Sequence, residues 1–230
     1  MDKPERRFDR KLDALKTKLL RMAAVAETMI DQAVRELVER DERAADAAGQ
    51  YEQELNRLQI EIDEEVMMLL ATQQPVAVDL RFILGSSRIN TELERIGDLV
   101  MNITENARTL IQQPPLKPLI DIPRMETRAR QMVRESLNAL VQEDVALAQS
   151  VIAADDEVDA LKDQIMRELI TYMIGDPRCV ERALALILIS RHLERIADHA
   201  TNIAQDVIYI IQGRDVRHPR TPKSEAESSS

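Results

Sequence analysis

The stretch Leu93-Glu94-Arg95-Ile96-Gly97-Asp98-Leu99-Val100-Met101-Asn102-Ile103 returns one hundred residues later as Leu193-Glu194-Arg195-Ile196-Ala197-Asp198-His199-Ala200-Thr201-Asn202-Ile203, with seven of eleven positions identical. Upstream, Glu54-Leu55-Asn56-Arg57-Leu58 aligns with Glu157-Val158-Asp159-Ala160-Leu161, and Asp41 with Asp144, at an offset of 103. The three-residue difference falls between the second and third helix of each half, where a loop can change length. An internal repeat of this size sets the architecture before any other feature does. Each copy is one supersecondary unit, and the chain contains two.

Composition makes those units helical. Aromatic residues are 2 % of the chain, Trp is absent, and Gly and Pro number five and nine. Strand-rich folds favour aromatic residues and need frequent turn residues, and this chain is poor in both. The abundant residues, Ala, Leu, Glu, Arg, Gln and Met, are good helix formers. Proline costs a helix interior about 3 kcal/mol or more, so the long proline-free stretches 5–74, 76–113, 124–176 and 178–218 are where helices fit. Two of them need an internal break. Asp41 and Asp144 supply it, because an aspartate at the N-cap accepts the orphan N–H groups of the next turn. Gly175 ends a helix, Asp176 caps the next, Pro177 sits in its first turn, and Gly213 ends the last. The expected helices span 5–40, 42–73, 76–112, 120–142, 145–174 and 177–212. The fold class is all-α: two tandem, sequence-related three-helix bundles, six long antiparallel helices, elongated because a thirty-residue helix is about 45 Å long. The first repeat covers 1–113 and the second 119–213. Gln113-Pro114-Pro115-Leu116-Lys117-Pro118 reads as a rigid linker, and the Ser-rich stretch 214–230 as a disordered tail.

Charge narrows the function classes. The net charge is −10, from 41 acidic against 31 basic residues, which argues against a nucleic-acid partner. The only strongly basic stretch, residues 3–11, is broken by acids and reads as a solvated helix start. Met1 is followed by charges, so no secretory signal is expected. The longest apolar run, 183–189, is too short to span a bilayer, and the expected location is cytoplasmic. The single cysteine, Cys179, can form no internal disulfide and reads as a small residue near a helix start.

The repeated segment carries the candidate chemistry. Glu94, Asp98 and Asn102 recur every four residues, as do Glu194, Asp198 and Asn202, with Asp206 one turn on; residues four apart share a helix face. Asp155 and Asp159 repeat the spacing on the preceding helix, with Glu52 and Asn56 as their first-half counterparts. Packing the second and third helix of one half together converges oxygen ligands of the kind that suit hard cations, Mg²⁺, Ca²⁺, Mn²⁺ or iron. The same rows read equally as solvated faces paired with Arg88, Arg95, Arg191 and Arg195, since like charges at this spacing repel and call for a countercharge of either kind. The Glu-x-x-His signature of oxygen-activating di-iron bundles is missing, because Ile189, Ile196 and Asp215 stand three residues before His192, His199 and His218. No glycine-rich phosphate loop and no nucleophile–base pair occurs, so no catalytic residue is assigned. His192 and His199 read as packing or surface residues. Gly97, opposite Ala197 in the repeat, reads as a site of close helix packing. Most methionines, Met67, Met68, Met101, Met132, Met166 and Met173 among them, read as core filler.

The stretch Gln74-Pro75-Val76-Ala77-Val78-Asp79-Leu80-Arg81, together with both Leu-Glu-Arg-Ile-(Gly/Ala)-Asp copies and their Asn-Ile continuations, resembles the PhoU family over residues 8–212. The resemblance implies an accessory protein of phosphate transport that represses phosphate-starvation genes. Its members are cytoplasmic, non-enzymatic and usually homodimeric. They are thought to link a phosphate-transporter ATPase subunit at the inner membrane to a sensor histidine kinase, and meet the membrane only through those partners. In this family Glu/Asp-x-x-x-Asp motifs can hold metal ions or multinuclear iron clusters. The matching positions are Glu94 with Asp98, Glu194 with Asp198, and Asp155 with Asp159, while Asn56 departs from the pattern. Magnesium, manganese, iron and zinc are not distinguished by the sequence, and no metal is required for the fold. The alternative reading is a metal-binding or storage bundle that uses the repeated acidic motifs.

Overall fold

The computed structural model describes residues 4–40 and 43–217, with side chains for 8–40 and 49–217. Six helices follow one another: α1 (Pro4–Glu39), α2 (Arg43–Gln73), α3 (Ala77–Ile111), α4 (Asp121–Gln142), α5 (Val145–Gly175) and α6 (Val180–Gln212), with a short 3₁₀ turn at Pro177–Cys179 before the last. No strand occurs among the described residues. The longest helix, of 36 residues, spans about 54 Å.

The helix ends follow local chemistry. The Asp144 carboxylate accepts the Ala146 and Leu147 N–H groups at 2.9 and 3.0 Å. Asp176 accepts the Arg178 N–H at 3.1 Å and so caps the 3₁₀ turn. Gly213 closes α6 in the left-handed conformation, φ +67°, with its N–H on the Tyr209 carbonyl. The expected cap at Asp41 lies outside the described residues. The repeat extends to backbone geometry: Arg40 and Glu143, 103 positions apart, both leave their helices at positive φ, 56° and 53°.

Within each half the three helices pack on one another, as the repeat requires. The halves also share one continuous core. α1, α3, α6 and α4 form a ring in which each contacts the next, while α2 lies against α1 and α3, and α5 against α4 and α6. The seam has two antiparallel parts. Along α1 and α4, Glu27 meets Arg134 at 2.7 Å and Asp31 meets Arg130 at 3.4 Å. Along α3 and α6, the more extensive contact, Arg81 donates to the Ile210 carbonyl at 3.1 Å and Gly85 lies directly under Ile210. A Cβ at position 85 would stand 2.4 Å from Ile210 Cδ1, so Ile210 fills the space that a side chain there would need. Gly97 packs against Leu55 of α2, which is the close packing expected of it.

The linker is pinned from both halves. Arg40 donates to the carbonyls of Ile111 and Gln113, Arg182 to that of Pro114 at 3.0 Å, and Lys117 pairs with Glu168. Residues 214–217, assigned to the disordered tail, are placed against α6. Arg217 donates to Asp206 Oδ2 at 2.5 Å and to the Asn202 carbonyl at 3.0 Å; residues 218–230 lie outside the described part. The methionines also depart from expectation. Met132 is fully buried, but Met67, Met68 and Met166 are 71 %, 44 % and 46 % exposed, because their stripes on α2 and α5 face away from the ring.

Candidate functional site

The two acidic rows have different fates. In the second half, α5 and α6 bring Asp155, Asp159, Glu194 and Asp198 together. Lys162, one turn beyond Asp159, points its ammonium into the group, 2.9 Å from Asp159 Oδ1 and 3.3 Å from Glu194 Oε1. These bonds hold Lys162 charged well above its ordinary range. One lysine does not balance the cluster. Burial, followed by the charges of Asp198, Asp159 and Glu194, pushes the Asp155 carboxyl up to about 6. Burial and the Asp159 charge push Asp198 up as well, against the pull of His199, Lys162 and Arg195.

In the first half, Glu94 is raised by burial and by Asp98, with Arg95 and His199 opposing. Asn102 donates its amide N–H to the Asp98 backbone carbonyl at 3.0 Å, a bond within its own helix. Glu52 and Asn56 form no hydrogen bond or ion pair with that row among the described residues. Asn56, in place of the repeat's Asp159, brings no charge to it.

Asn202 also leaves its expected row. Its amide donates to Glu92 Oε2 at 3.1 Å across the α3–α6 seam. The same oxygen lies 2.6 Å from His199 Nδ1. Burial pushes the Glu92 carboxyl up, but the bonds from His199 and Asn202 and the charges of His199 and Arg95 outweigh it and hold Glu92 below its usual value. Farther along the seam, buried Asp206 meets Arg88 at 3.5 Å and Arg217 at 2.5 Å, and Arg88 lies over the Tyr209 ring. Sequence reading passed over Glu92 and Lys162. The signal for the first was an asymmetry: the repeat puts His192 where Glu92 stands, and Leu99 where His199 stands. His192 has a buried Nδ1 without a partner, and its pKa is lowered by burial and by Arg195 and Arg191.

Chemically, the second-half cluster offers carboxylate oxygens, the donor set of hard cations. Its present countercharge is Lys162. Among the described residues, no group of three or more His, Cys, Asp or Glu side chains is set to hold a metal ion, and no helix is long and apolar enough to cross a membrane.

Comparison with known proteins places this arrangement in a family. The PhoU domain model matches residues 19–107 and 122–207, one match per half. A phosphate-specific transport system accessory protein PhoU homolog from Pseudomonas putida is 37 % identical over 221 residues, covering 96 % of this chain and 86 % of its own. The homolog of the same description from Aquifex aeolicus is 38 % identical over 209 residues, covering 91 % of this chain and 95 % of its own. The crystal structure of PhoU from Pseudomonas aeruginosa superposes with a TM-score of 0.86 at 36 % identity, covering 90 % of this chain and 100 % of that one. At 24 % identity, a phosphate transport system regulatory protein PhoU from Streptococcus pneumoniae shares the fold, with a TM-score of 0.82 over 91 % of this chain and 99 % of that one.

Proposed function

The chain belongs to the PhoU family, and on that premise we propose that it is a non-enzymatic accessory regulator of phosphate transport. The observation that carries the reading is full-length correspondence: both halves match the family domain, and relatives described as transport-system accessory proteins align over more than nine-tenths of this chain. In this reading the protein is a cytoplasmic adaptor. It links the ATPase subunit of a phosphate transporter to a sensor histidine kinase and keeps phosphate-starvation genes off when phosphate is plentiful. It would act by binding one state of the kinase better than the other, since a partner shifts an equilibrium only by its differential affinity. Long helices with exposed faces suit such work, and the protein acts as a homodimer.

The test is a phosphatase reporter of the starvation response in a deletion strain grown with abundant phosphate. The reporter is expected to switch on, and a plasmid copy to silence it. A reporter that stays off in the deletion strain refutes the regulatory role.

A second reading rests on the second-half cluster, where four carboxylates face one lysine. A hard cation, Mg²⁺, Mn²⁺ or iron, would be held there by Asp155, Asp159, Glu194 and Asp198, and Lys162 would have to withdraw. Equilibrium dialysis of Mn²⁺ against the wild type and the Glu194→Ala/Asp198→Ala variant tests it; equal uptake by both excludes these residues as ligands.

A further inference from the structure

The solvent face of the α5–α6 hairpin is divided in two. Toward the tip, Met166, Ile170 and Ile174 stand four residues apart on α5, and Val180, Leu184 and Leu188 do so on α6. All six are exposed, from 37 % at Val180 to 79 % at Ile174. The hairpin register, set by the 3₁₀ turn and by the Lys162–Glu194 contact, places them as three apolar rungs. Together they expose on the order of 500 Å², at the upper end of what a monomer leaves uncovered. Beyond the last rung the same stripes become charged. Asp163, Asp159 and Asp155 continue α5, while on α6 Arg191 and Arg195 lie three and seven residues past Leu188, ahead of Asp198, and Glu194 turns to Lys162 of α5. Carboxylates outnumber cations there.

This division is not inherited from the fold. The first hairpin has Asp63 and Arg88 where the second has Met166 and Leu188, and both are engaged: Asp63 accepts from Asn90 at 3.0 Å, and Arg88 pairs with Asp206. The first copy keeps one exposed apolar rung, Met67 and Leu84, and only the second extends it to three before the charged half.

We propose that the α5–α6 face docks a helix from a protein partner, apolar along one stripe at one end and bearing lysines or arginines along the same stripe at the other. The apolar rungs supply buried area, and the acidic end supplies charge complementarity that fixes the direction and register of the incoming helix. From Ile174 to Asp155 the face is about 28 Å long, the length of a helix of about nineteen residues. A second copy of this chain is a poor occupant. Pairing the two faces in parallel sets acid on acid, and pairing them antiparallel sets acid on apolar rungs. The proposal rests on the accessory-protein reading, because it names how a partner is held.

The probe is a fluorescent nineteen-residue helical peptide with leucines on one stripe of its first half and lysines on that stripe of its second. Titration of the full chain is followed by anisotropy, with folding checked by circular dichroism. Binding is expected to weaken at least tenfold in Leu184→Asp, and several-fold, with a shallower salt dependence, in Asp159→Asn/Asp198→Asn. It should be unchanged in Leu84→Asp, the equivalent exposed site on the first hairpin. A peptide with glutamates for lysines should not bind. The proposal is overturned if no peptide binds, if a scrambled peptide of the same composition binds equally well, or if Leu184→Asp and Leu84→Asp behave alike. These outcomes are separate from the phosphatase reporter: a reporter that responds to deletion while the peptide ignores Leu184→Asp leaves the regulatory reading standing and removes this face from it.

Discussion

Replacing Gly85 by alanine tests the α3–α6 seam most directly, because two opposing effects of known size meet at one atom. In an exposed helix interior, Gly→Ala stabilises by about 1 kcal/mol. At position 85 the new Cβ would lie 2.4 Å from Ile210 Cδ1 and 2.5 Å from Cγ1, against the roughly 3.5–4.0 Å at which carbon atoms pack. Ile210 is 5 % exposed, so its side chain cannot simply swing into solvent. Overpacking of this kind costs about 1–3 kcal/mol, and it overrides the propensity gain. Gly85→Ala is therefore expected to gain nothing and to lose up to about 2 kcal/mol in urea unfolding followed at 222 nm. Ile210→Ala alone should lose about 2–5 kcal/mol. The double variant should fall short of the sum of the two by at least about 1 kcal/mol, since the contact that creates the clash is then gone. Stabilisation of Gly85→Ala by the full helix-propensity gain, or strict additivity in the double variant, would refute the close approach. Gly97→Ala is the internal comparison. Its Cβ would meet the Leu55 methyls at 3.0 and 3.4 Å, a contact relieved by a shift of a few tenths of an ångström, so it should cost less than Gly85→Ala.

Three further outcomes follow from the buried charges. Asp155, pushed up to about 6, retains in the folded state a proton that the unfolded chain releases near 3.8, so it removes stability as pH rises through that window. Asp155→Asn should gain about 1 kcal/mol at pH 7 after allowance for solvent screening, and the gain should vanish by about pH 3 in pH-resolved unfolding; a loss at pH 7 would contradict the repulsion described at this cluster. Glu92→Ala leaves His199 and Asn202 without their acceptor in the seam and should cost about 2–3 kcal/mol at pH 7, with Glu92→Gln costing less. Because Glu92 is held below its ordinary 4.5, its contribution is present above that pH and is lost as pH falls through the folded-state value, so the wild-type and Glu92→Gln unfolding curves should converge in acid. Arg217→Ala leaves Asp206, 1 % exposed, with only Arg88 and should cost about 1–3 kcal/mol in thermal melts; an unchanged melt would mean that Arg217 does not pair with Asp206 in solution.

The fold was legible because its determinants are local. Prolines, the caps at Asp144 and Asp176, and the glycines at 175 and 213 act within a turn of where they stand, and the observed helix bounds fall within about three residues of those read from them. The ring of four helices was not legible in the same way. It depends on which faces of α3 and α6 meet, and a repeat describes each half without saying how the halves join. The candidate site was legible in part. The spacing of Asp155, Asp159, Glu194 and Asp198 was enough to bring them together, because both helices of that hairpin carry the pattern. Asn202 has the same spacing but is drawn away by a buried carboxylate on another helix, a competition that periodicity cannot express. Lys162 continues the acidic stripe, three residues past Asp159, but a row read for its oxygen donors does not single out the ammonium that closes it. Residue type says little about the exposure of Met67, Met68 and Met166, which is set by the stripe each occupies.

The unequal seam bears on how a duplicated chain can evolve. Two identical three-helix units could once have closed the same ring as a pair, with every contact across it made twice. This chain can no longer be divided that way. Two copies of its first half would each bury Glu92 against Leu99, with no imidazole to receive it, and two copies of its second half would set His192 against His199. At such facing positions each repeat is a better complement of the other than of itself, which favours the single fused chain over a pair of like halves.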